Sequence, residues 1–142
     1  MKKILVIGGA YQGKTEWVKE NFQEYCSMSP EMLLQENRLG KLVAGVCINQ
    51  FHMFMKQWIH EKRDYEEAVN LIRKNPSWII VCDEVGNGVV PIDKEERMWR
   101  EATGRMLCEL AKDADEVYRM YCQIPVLIKG GEEPCYNHCM QV

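Results

Sequence analysis

Short apolar runs recur along the chain and predict five β-strands, namely KKILVIG, KLVAGVC, SWIIVCDE, DEVYRMYC and PVLIK. The first and third runs are continuously apolar, which is typical of strands buried on both faces of a parallel sheet. Pro125 opens the last run. Proline lacks the N–H that a central strand needs, so we expect this strand to begin at a sheet edge or after a turn.

Helical periodicity fills the intervals between these runs. It predicts helices from Lys14 to about Tyr25, from about Asp64 to Arg73, and from just after Pro91 to about Asp113. In the third helix, Asp93 and Glu96 have the spacing of a capping box, which marks a helix start. Strands that alternate with helices predict an α/β fold whose sheet is mainly parallel and flanked by helices.

The composition is that of one globular domain and disfavours two kinds of partner. In a chain of 142 residues we expect a single domain over residues 1–130 and a loosely packed tail over 131–142. The formal net charge is −3, without the clustered Lys and Arg that a nucleic-acid backbone requires. No stretch approaches the ~18 apolar residues of a membrane span. We therefore expect neither nucleic acid nor membrane as a partner.

Two further features bear on the compartment and on metal binding. The Lys-Lys start resembles the beginning of an export signal, but Gly8 and Gly9 interrupt the apolar run and charged residues follow at once. The seven cysteines are an odd number, and four of them lie in apolar surroundings, which favours a reducing cytoplasm. In the tail, Cys135, His138 and Cys139 lie close together and could form a partial zinc site, but a structural site needs four ligands and no second cluster supplies the rest, which favours a frayed terminus.

The segment GGAYQGKT stands between the first predicted strand and the first predicted helix and satisfies G-x-x-x-x-G-K-[ST]. Such a P-loop turns successive N–H groups toward phosphate oxygens at a helix N-terminus. Lys14 would neutralise the β- and γ-phosphates, and the Thr15 hydroxyl would bind Mg²⁺. The sequence therefore predicts a P-loop NTPase-like fold that binds ATP or GTP with Mg²⁺. The predicted nucleotide-binding residues of the loop are Gly8, Gly9, Ala10, Tyr11, Gln12, Gly13, Lys14 and Thr15.

A P-loop also needs an acid at the end of a neighbouring strand to hold Mg²⁺, and the run WIIVCDE supplies two candidates. Successive strand residues face opposite ways, so only one acid of the pair can face the phosphates. Asp83 is the first choice and Glu84 the second. Gly86 and Gly88 follow, and they indicate either a backbone that passes close to the nucleotide or a plain turn.

These segments resemble the bifunctional adenosylcobinamide kinase and adenosylcobinamide-phosphate guanylyltransferase family of cobalamin biosynthesis. ILVIGGAYQGKT is similar to the family's opening strand and P-loop, DEVGNGVVP to its N-E-V-G-x-G-[IV]-V-P turn, and ATGRMLCELAKDADEVY to its following helix and strand. The similarity covers residues 1–19 and 77–129. It implies phosphorylation of the aminopropanol hydroxyl of the corrinoid adenosylcobinamide, transfer of GMP to the product, and assembly as a homotrimer.

The resemblance also suggests roles for single residues. Arg105 matches a basic position that would offset phosphate charge, and a solvated helix face is the alternative. The family's guanylylated histidine precedes its third strand, but QEYCSMSPEMLLQENRLG contains no histidine, and Val46 stands where the family has an acid. His52 is the nearest substitute as a catalytic histidine, although its neighbours Phe51, Met53 and Phe54 favour a packed core residue.

Two other functions remain open from the sequence. The chain is either a P-loop kinase for another small hydroxyl compound or a non-catalytic nucleotide-binding subunit or sensor. Self-association is expected in each case, because the middle segment places Met53, Phe54, Trp58 and Ile59 close together, too many large apolar groups for the surface of a small monomer. The last two strands are the other predicted interface.

Overall fold

A computed structural model describes residues 1–85 and 92–131, and a six-stranded sheet organises them. The strands are β1 (Lys3–Gly8), β2 (Cys26–Ser27), β3 (Val46–Ile48), β4 (Trp78–Asp83), β5 (Glu116–Tyr121) and β6 (Ile124–Lys129). The helices are α1 (Lys14–Asn21), α2 (Pro30–Arg38), α3 (Phe51–His60), α4 (Tyr65–Arg73) and α5 (Lys94–Asp113).

The strand order is β2-β3-β4-β1-β5-β6. The first five strands in that order are parallel, and the sixth strand, β6, runs antiparallel to β5. The register pairs Gly8 at the end of β1 with Asp83 at the end of β4. Because the carboxyl ends of parallel strands meet at one edge of a sheet, the P-loop and the acid lie side by side. The chain has the P-loop NTPase-like α/β fold that the sequence predicts.

Side-chain alternation divides the core into two layers. Ile4 and Val6 of β1 face α1 and pack with Val18, while Leu5 faces the larger layer formed with the remaining helices. Trp78, the largest fully buried side chain, belongs to that second layer. Fully burying one large apolar side chain contributes about 1.5–3 kcal/mol, so a sheet covered on both faces holds the site edge firmly.

The structure confirms most predicted elements and corrects others. Helix α1 ends at Asn21 rather than near Tyr25, because Phe22 leaves the helical conformation and packs on Trp17. Beyond it, the Tyr25 hydroxyl donates a hydrogen bond to the main-chain oxygen of Lys2. Periodicity did not predict β2, α2 or α3. The start of α2 was nevertheless marked in the sequence by Ser29 as N-cap and proline at the first helical position.

The cysteine expectation is half correct. Cys47 and Cys82 are buried as expected, and burial raises the pKa of the Cys47 thiol to about 11, which keeps it protonated. Cys108 and Cys122 are exposed, on α5 and in the turn between β5 and β6, so their apolar sequence neighbours were misleading. None of the helices within the described residues is both long enough and apolar enough to cross a membrane.

The prediction of an apolar surface on the middle segment, which forms α3, is wrong. Phe54, Trp58 and Ile59 are buried inside the chain, and only Met53 of the four residues is exposed. Phe54 and Trp58 belong to the larger core layer, and none of the three buried side chains needs a partner for burial. A run of exposed apolar side chains lies instead on the edge strand β6, at Ile124, Val126, Leu127 and Ile128. Residues 132–142, with the predicted Cys135, His138 and Cys139 ligands, lie outside the described part of the chain.

Candidate active site

The P-loop joins the end of β1 to the start of α1 and requires glycine at two positions. Gly8 has φ 154°, and a Cβ there would lie 2.9 Å from the main-chain oxygen of Met120 on β5. Gly13, the N-cap of α1, has φ 82° in the left-handed region. A Cβ at Gly13 would lie 2.8 Å from Cγ of Gln123. Larger residues at these positions would therefore push the loop away from the sheet edge.

The loop presents free hydrogen-bond donors. Within residues 1–85 and 92–131, no main-chain N–H of residues 9–15 donates a hydrogen bond. Three of these groups belong to the N-cap and the first turn of α1, where N–H groups have no partner in the helix. Together with the partial positive charge of the helix N-terminus, they form a cradle suited to phosphate oxygens.

A contact that the sequence did not indicate fixes the loop from the other side. The side-chain oxygen of Gln12 accepts a hydrogen bond from the Cys122 N–H, and its main-chain oxygen accepts one from the Gln123 N–H at 3.0 Å. Cys122 and Gln123 form the two-residue turn between β5 and β6 and have φ values of 48° and 67°. Positive φ at both positions is the pattern of a type I′ hairpin turn. The hairpin thus supports the P-loop.

Lys14 and Asp83 meet in the cleft beside the loop. The Lys14 ammonium lies 2.7 Å from Asp83 Oδ1 and donates to the main-chain oxygen of Gly9 at 2.6 Å. The lysine side chain is 7% exposed and the aspartate 23%, so water screens the pair only weakly. An incoming triphosphate therefore finds a lysine that is already held at the loop.

Glu84 lies on the opposite face of the sheet, as strand alternation requires. Its carboxylate accepts a hydrogen bond from Arg119 of β5 at 2.8 Å, and its main-chain N–H donates to the Gly8 oxygen at 2.9 Å. Of the two adjacent acids, Asp83 is the one beside Lys14. Arg119 was not singled out from the sequence, although its place on a predicted strand next to β1 was the available signal.

His52 lies against Asp83 and is 8% exposed. Its Nδ1 accepts a hydrogen bond from the Asp83 main-chain N–H at 3.1 Å, and its Nε2 lies 3.4 Å from Asp83 Oδ2. Burial lowers the pKa of His52 below its ordinary value of 6.5, while Asp83 acts in the opposite direction and Lys14 adds to the lowering. The prediction of a packed histidine holds for burial but missed these polar contacts, which place His52 at the site.

The cleft that these residues line has a volume of about 480 Å³. Thr15, Gln50 and Met53 line it as well, together with residues 10–14 of the loop. The Thr15 hydroxyl and the Asp83 carboxylate are hard oxygen donors, which suit Mg²⁺ bound with a nucleotide. Free N–H donors, a lysine and two oxygen ligands at one edge of the sheet therefore fit a Mg²⁺–triphosphate.

Of the predicted nucleotide-binding residues beyond the loop, Arg105 does not join this cleft. Arg105 is exposed on α5, where it donates a hydrogen bond to Glu101 at 2.6 Å, one turn earlier on the same helix. The solvated-face alternative therefore describes Arg105 better than a phosphate contact. Gly86 and Gly88 lie outside the described residues.

A second cleft, of about 690 Å³, lies between the end of α3 and the start of α5. Ile59 and Met98 form apolar parts of its lining, and Lys62, Arg63 and Glu95 add charge. Its described lining contains no glycine, and the start of α5 within it carries the Asp93 carboxylate, which accepts a hydrogen bond from the Glu95 N–H and would repel a phosphate. The chemistry of phosphate binding therefore favours the smaller cleft.

Comparison with known proteins places the chain in a family. The profile described as cobinamide kinase / cobinamide phosphate guanyltransferase matches residues 30–128, more than two thirds of the chain. No curated protein matches significantly. The match begins after the P-loop, so the loop rests on its own motif and geometry, and it includes residues 30–76, which the motif resemblance had left out. The chain belongs to the cobinamide kinase / cobinamide phosphate guanyltransferase family.

Proposed function

We propose that the chain is a Mg²⁺-dependent kinase that transfers the γ-phosphoryl group of ATP or GTP to the aminopropanol hydroxyl of adenosylcobinamide, a step in cobalamin biosynthesis. The observation that carries this proposal is the contact of Lys14 with Asp83 beside a free P-loop, in a chain of this family. For phosphoryl transfer, a protein mainly has to position the two reactants and compensate the negative charge of the phosphates. Both are available in the P-loop cleft.

Each described residue has a place in this proposal. The loop N–H groups would hold the β- and γ-phosphates, and Lys14 would exchange its contact with Asp83 for the phosphate oxygens. Thr15 and Asp83 would then hold Mg²⁺, which supplies positive charge between the phosphates when it is bound. His52 and Met53 form part of the wall of the cleft.

We further propose that this chain does not form a guanylylated histidine. Nucleophilic attack on the α-phosphate needs a ring nitrogen with a free lone pair. In His52 the Nδ1 lone pair already accepts the Asp83 N–H, so Nε2 carries the proton of the neutral ring and has no free lone pair. Helix α2 contains no histidine. Within the described residues, the remaining histidine is His60, which is exposed and contacts Glu95 away from the P-loop.

One experiment tests both proposals. The protein is incubated with Mg²⁺, adenosylcobinamide and GTP labelled either at the γ- or at the α-phosphate, and a corrinoid without the aminopropanol arm is the control acceptor. We expect γ-label in the first corrinoid, none in the control, and no α-label on the protein. Nucleotide binding without any transfer would contradict the kinase and favour the sensor, whereas α-label bound to the protein would contradict the second proposal.

We also propose that β6 joins copies of this chain. All six residues of β6 are exposed, including Ile124, Val126 and Ile128, and the strand forms one end of the sheet. The open edge of a strand exposes main-chain N–H and C=O groups that can pair with the same strand of a second copy. An apolar edge with both faces uncovered therefore favours a homo-oligomer, and the trimer implied by the resemblance is one such assembly.

Light scattering tests this interface. We expect the wild-type mass to exceed the 16.6 kDa of one chain and Ile128→Lys to lower it, because a charge would have to lose its water at the joined edge. Leu42→Lys is the matched control, since Leu42 is similarly exposed but lies far from β6 in the sheet order. A wild-type monomer, or an oligomer that Ile128→Lys leaves intact, would contradict the proposal.

A further inference from the structure

Gln12 joins the P-loop to the turn between β5 and β6 through two hydrogen bonds. Its side-chain oxygen accepts the N–H of Cys122, and its main-chain oxygen accepts the N–H of Gln123 at 3.0 Å. Because Tyr121 and Ile124 form the last pair of the β5–β6 ladder, the N–H groups of the two turn residues have no partner in the sheet. One residue of the loop therefore accepts both of these N–H groups.

The sequence of this turn does not favour its conformation. Type I′ turns prefer Asn-Gly, Asp-Gly or Gly-Gly, because both central residues have positive φ. Here Cys122 and Gln123 occupy those positions, with φ values of 48° and 67°. A residue other than glycine in the left-handed region is strained and persists only where its surroundings hold it there. The two bonds to Gln12 help to hold the turn, so the loop and the turn stabilise each other.

The main-chain bond also sets the direction of one phosphate donor. The Gln12 C=O and the Gly13 N–H belong to one planar trans peptide unit and point in opposite directions. Since the C=O points to the turn after β5, the N–H points away from β5, toward the side of the loop where β4 carries Asp83. Gly13 lines the P-loop cleft, and its N–H donates no hydrogen bond to any of the described residues.

We propose that Gln12 is a positioning residue for the triphosphate, which acts by holding the loop against the β5–β6 turn so that the Gly13 N–H faces the phosphates. The fit between loop and turn supports this role, because a Cβ at Gly13 would lie 2.8 Å from Cγ of Gln123, so a displaced turn displaces the loop. This inference rests on the proposed function for the P-loop as the triphosphate site but not on the identity of the phosphoryl acceptor.

Two substitutions weaken this support from opposite sides, and each has a matched control. Gln12→Met keeps the length of the side chain but removes the acceptor of the Cys122 N–H, and Gln35→Met makes the same change at an exposed position on α2. Gln123→Val leaves Gln12 intact but places a β-branched residue at φ 67°, where it is strained. Lys62→Val introduces the same strain at φ 59°, in the turn after α3 and outside the P-loop cleft.

The readout is the dissociation constant of ATP and of inorganic tripolyphosphate, each with Mg²⁺, measured by titration calorimetry well below the unfolding temperature of each variant. We expect Gln12→Met and Gln123→Val to weaken the binding of both ligands by about threefold to tenfold, which corresponds to the net contribution of one hydrogen bond. The two ligands should lose affinity equally, because tripolyphosphate has no nucleoside. We expect Gln35→Met and Lys62→Val to bind both ligands as the wild type does, although Lys62→Val unfolds at a lower temperature.

Unchanged affinities in Gln12→Met would overturn the inference. A loss in Gln12→Met without one in Gln123→Val would overturn it too, because the Gln12 side chain would then contact the phosphates directly. A loss for ATP alone would indicate a contact with the nucleoside instead, and an equal loss in Lys62→Val would show that affinity follows overall stability; both results contradict the positioning role.

The failure of this inference is distinguishable from the failure of the proposed function. In each of the contradicting outcomes, a wild-type protein that binds Mg²⁺–ATP leaves the proposed function standing. A wild-type protein that binds no ATP would overturn the proposed function and this inference together.

Discussion

Lys14→Ala is expected to weaken ATP and GTP binding by about a hundredfold or more. Removing one partner of a buried charge contact typically costs 2–5 kcal/mol, and each 1.4 kcal/mol is a factor of ten in affinity. Lys14 contacts Asp83 and the Gly9 oxygen at the edge of the cleft, so its truncation removes the cation that would meet the phosphates. Titration calorimetry with each nucleotide measures the effect.

The matched control is Lys19→Ala, which removes the same charge from an exposed position on the same helix. Lys19→Ala is expected to bind nucleotide as the wild type does. The cooperative unfolding of Lys14→Ala should persist, because the two core layers lie away from the cleft. Equal affinities for Lys14→Ala and wild type would refute the P-loop assignment.

Asp83→Asn is expected to lower Mg²⁺-dependent turnover by about a hundredfold while leaving nucleotide affinity in EDTA unchanged or higher. The amide keeps the shape of the side chain but removes the anionic ligand of the metal, and changes to metal ligands or to the groups that orient them commonly cost about 10–100-fold. Affinity without metal does not fall, because Lys14 loses a competing carboxylate and is free for the phosphates.

Glu84→Gln is the natural comparison for Asp83→Asn, since it makes the same chemical change one residue later. Glu84 pairs with Arg119 on the opposite face, so its substitution should disturb that contact and affect turnover less. Steady-state rates at saturating Mg²⁺ and nucleotide give the comparison. If Glu84→Gln costs more than Asp83→Asn, the acids have been assigned to the wrong faces.

Local patterns predicted the elements that carry the P-loop site. The continuous apolar run of β1, the glycines after it and the charge at Lys14 lie next to each other in the chain, so one motif located the loop. Strand alternation also predicted that only one of the two acids, Asp83 or Glu84, could face the loop. The start of α5 was equally local, because Asp93 caps the helix by accepting a hydrogen bond from the Glu95 N–H.

The remainder of the site depends on contacts between distant residues. His52 and Asp83 are 31 positions apart, and Gln12 and Cys122 are 110 positions apart, so no motif window includes either pair. The position of Arg105 outside the cleft had a similar origin. Arg105 was chosen as a phosphate ligand from a resemblance, but the helix face on which it lies is decided by how α5 packs on the sheet. The two-residue strand β2 is too short for any periodicity.

The most direct test of the account is a crystal structure of the protein with Mg²⁺ and a non-hydrolysable triphosphate. We predict the triphosphate in the P-loop cleft, the Lys14 ammonium on phosphate oxygens instead of at 2.7 Å from Asp83, and Mg²⁺ near Thr15 and Asp83. Two results would contradict the proposed P-loop site. One is a triphosphate bound in the second cleft between α3 and α5. The other is a P-loop complex in which Lys14 still contacts Asp83 and Mg²⁺ lies elsewhere.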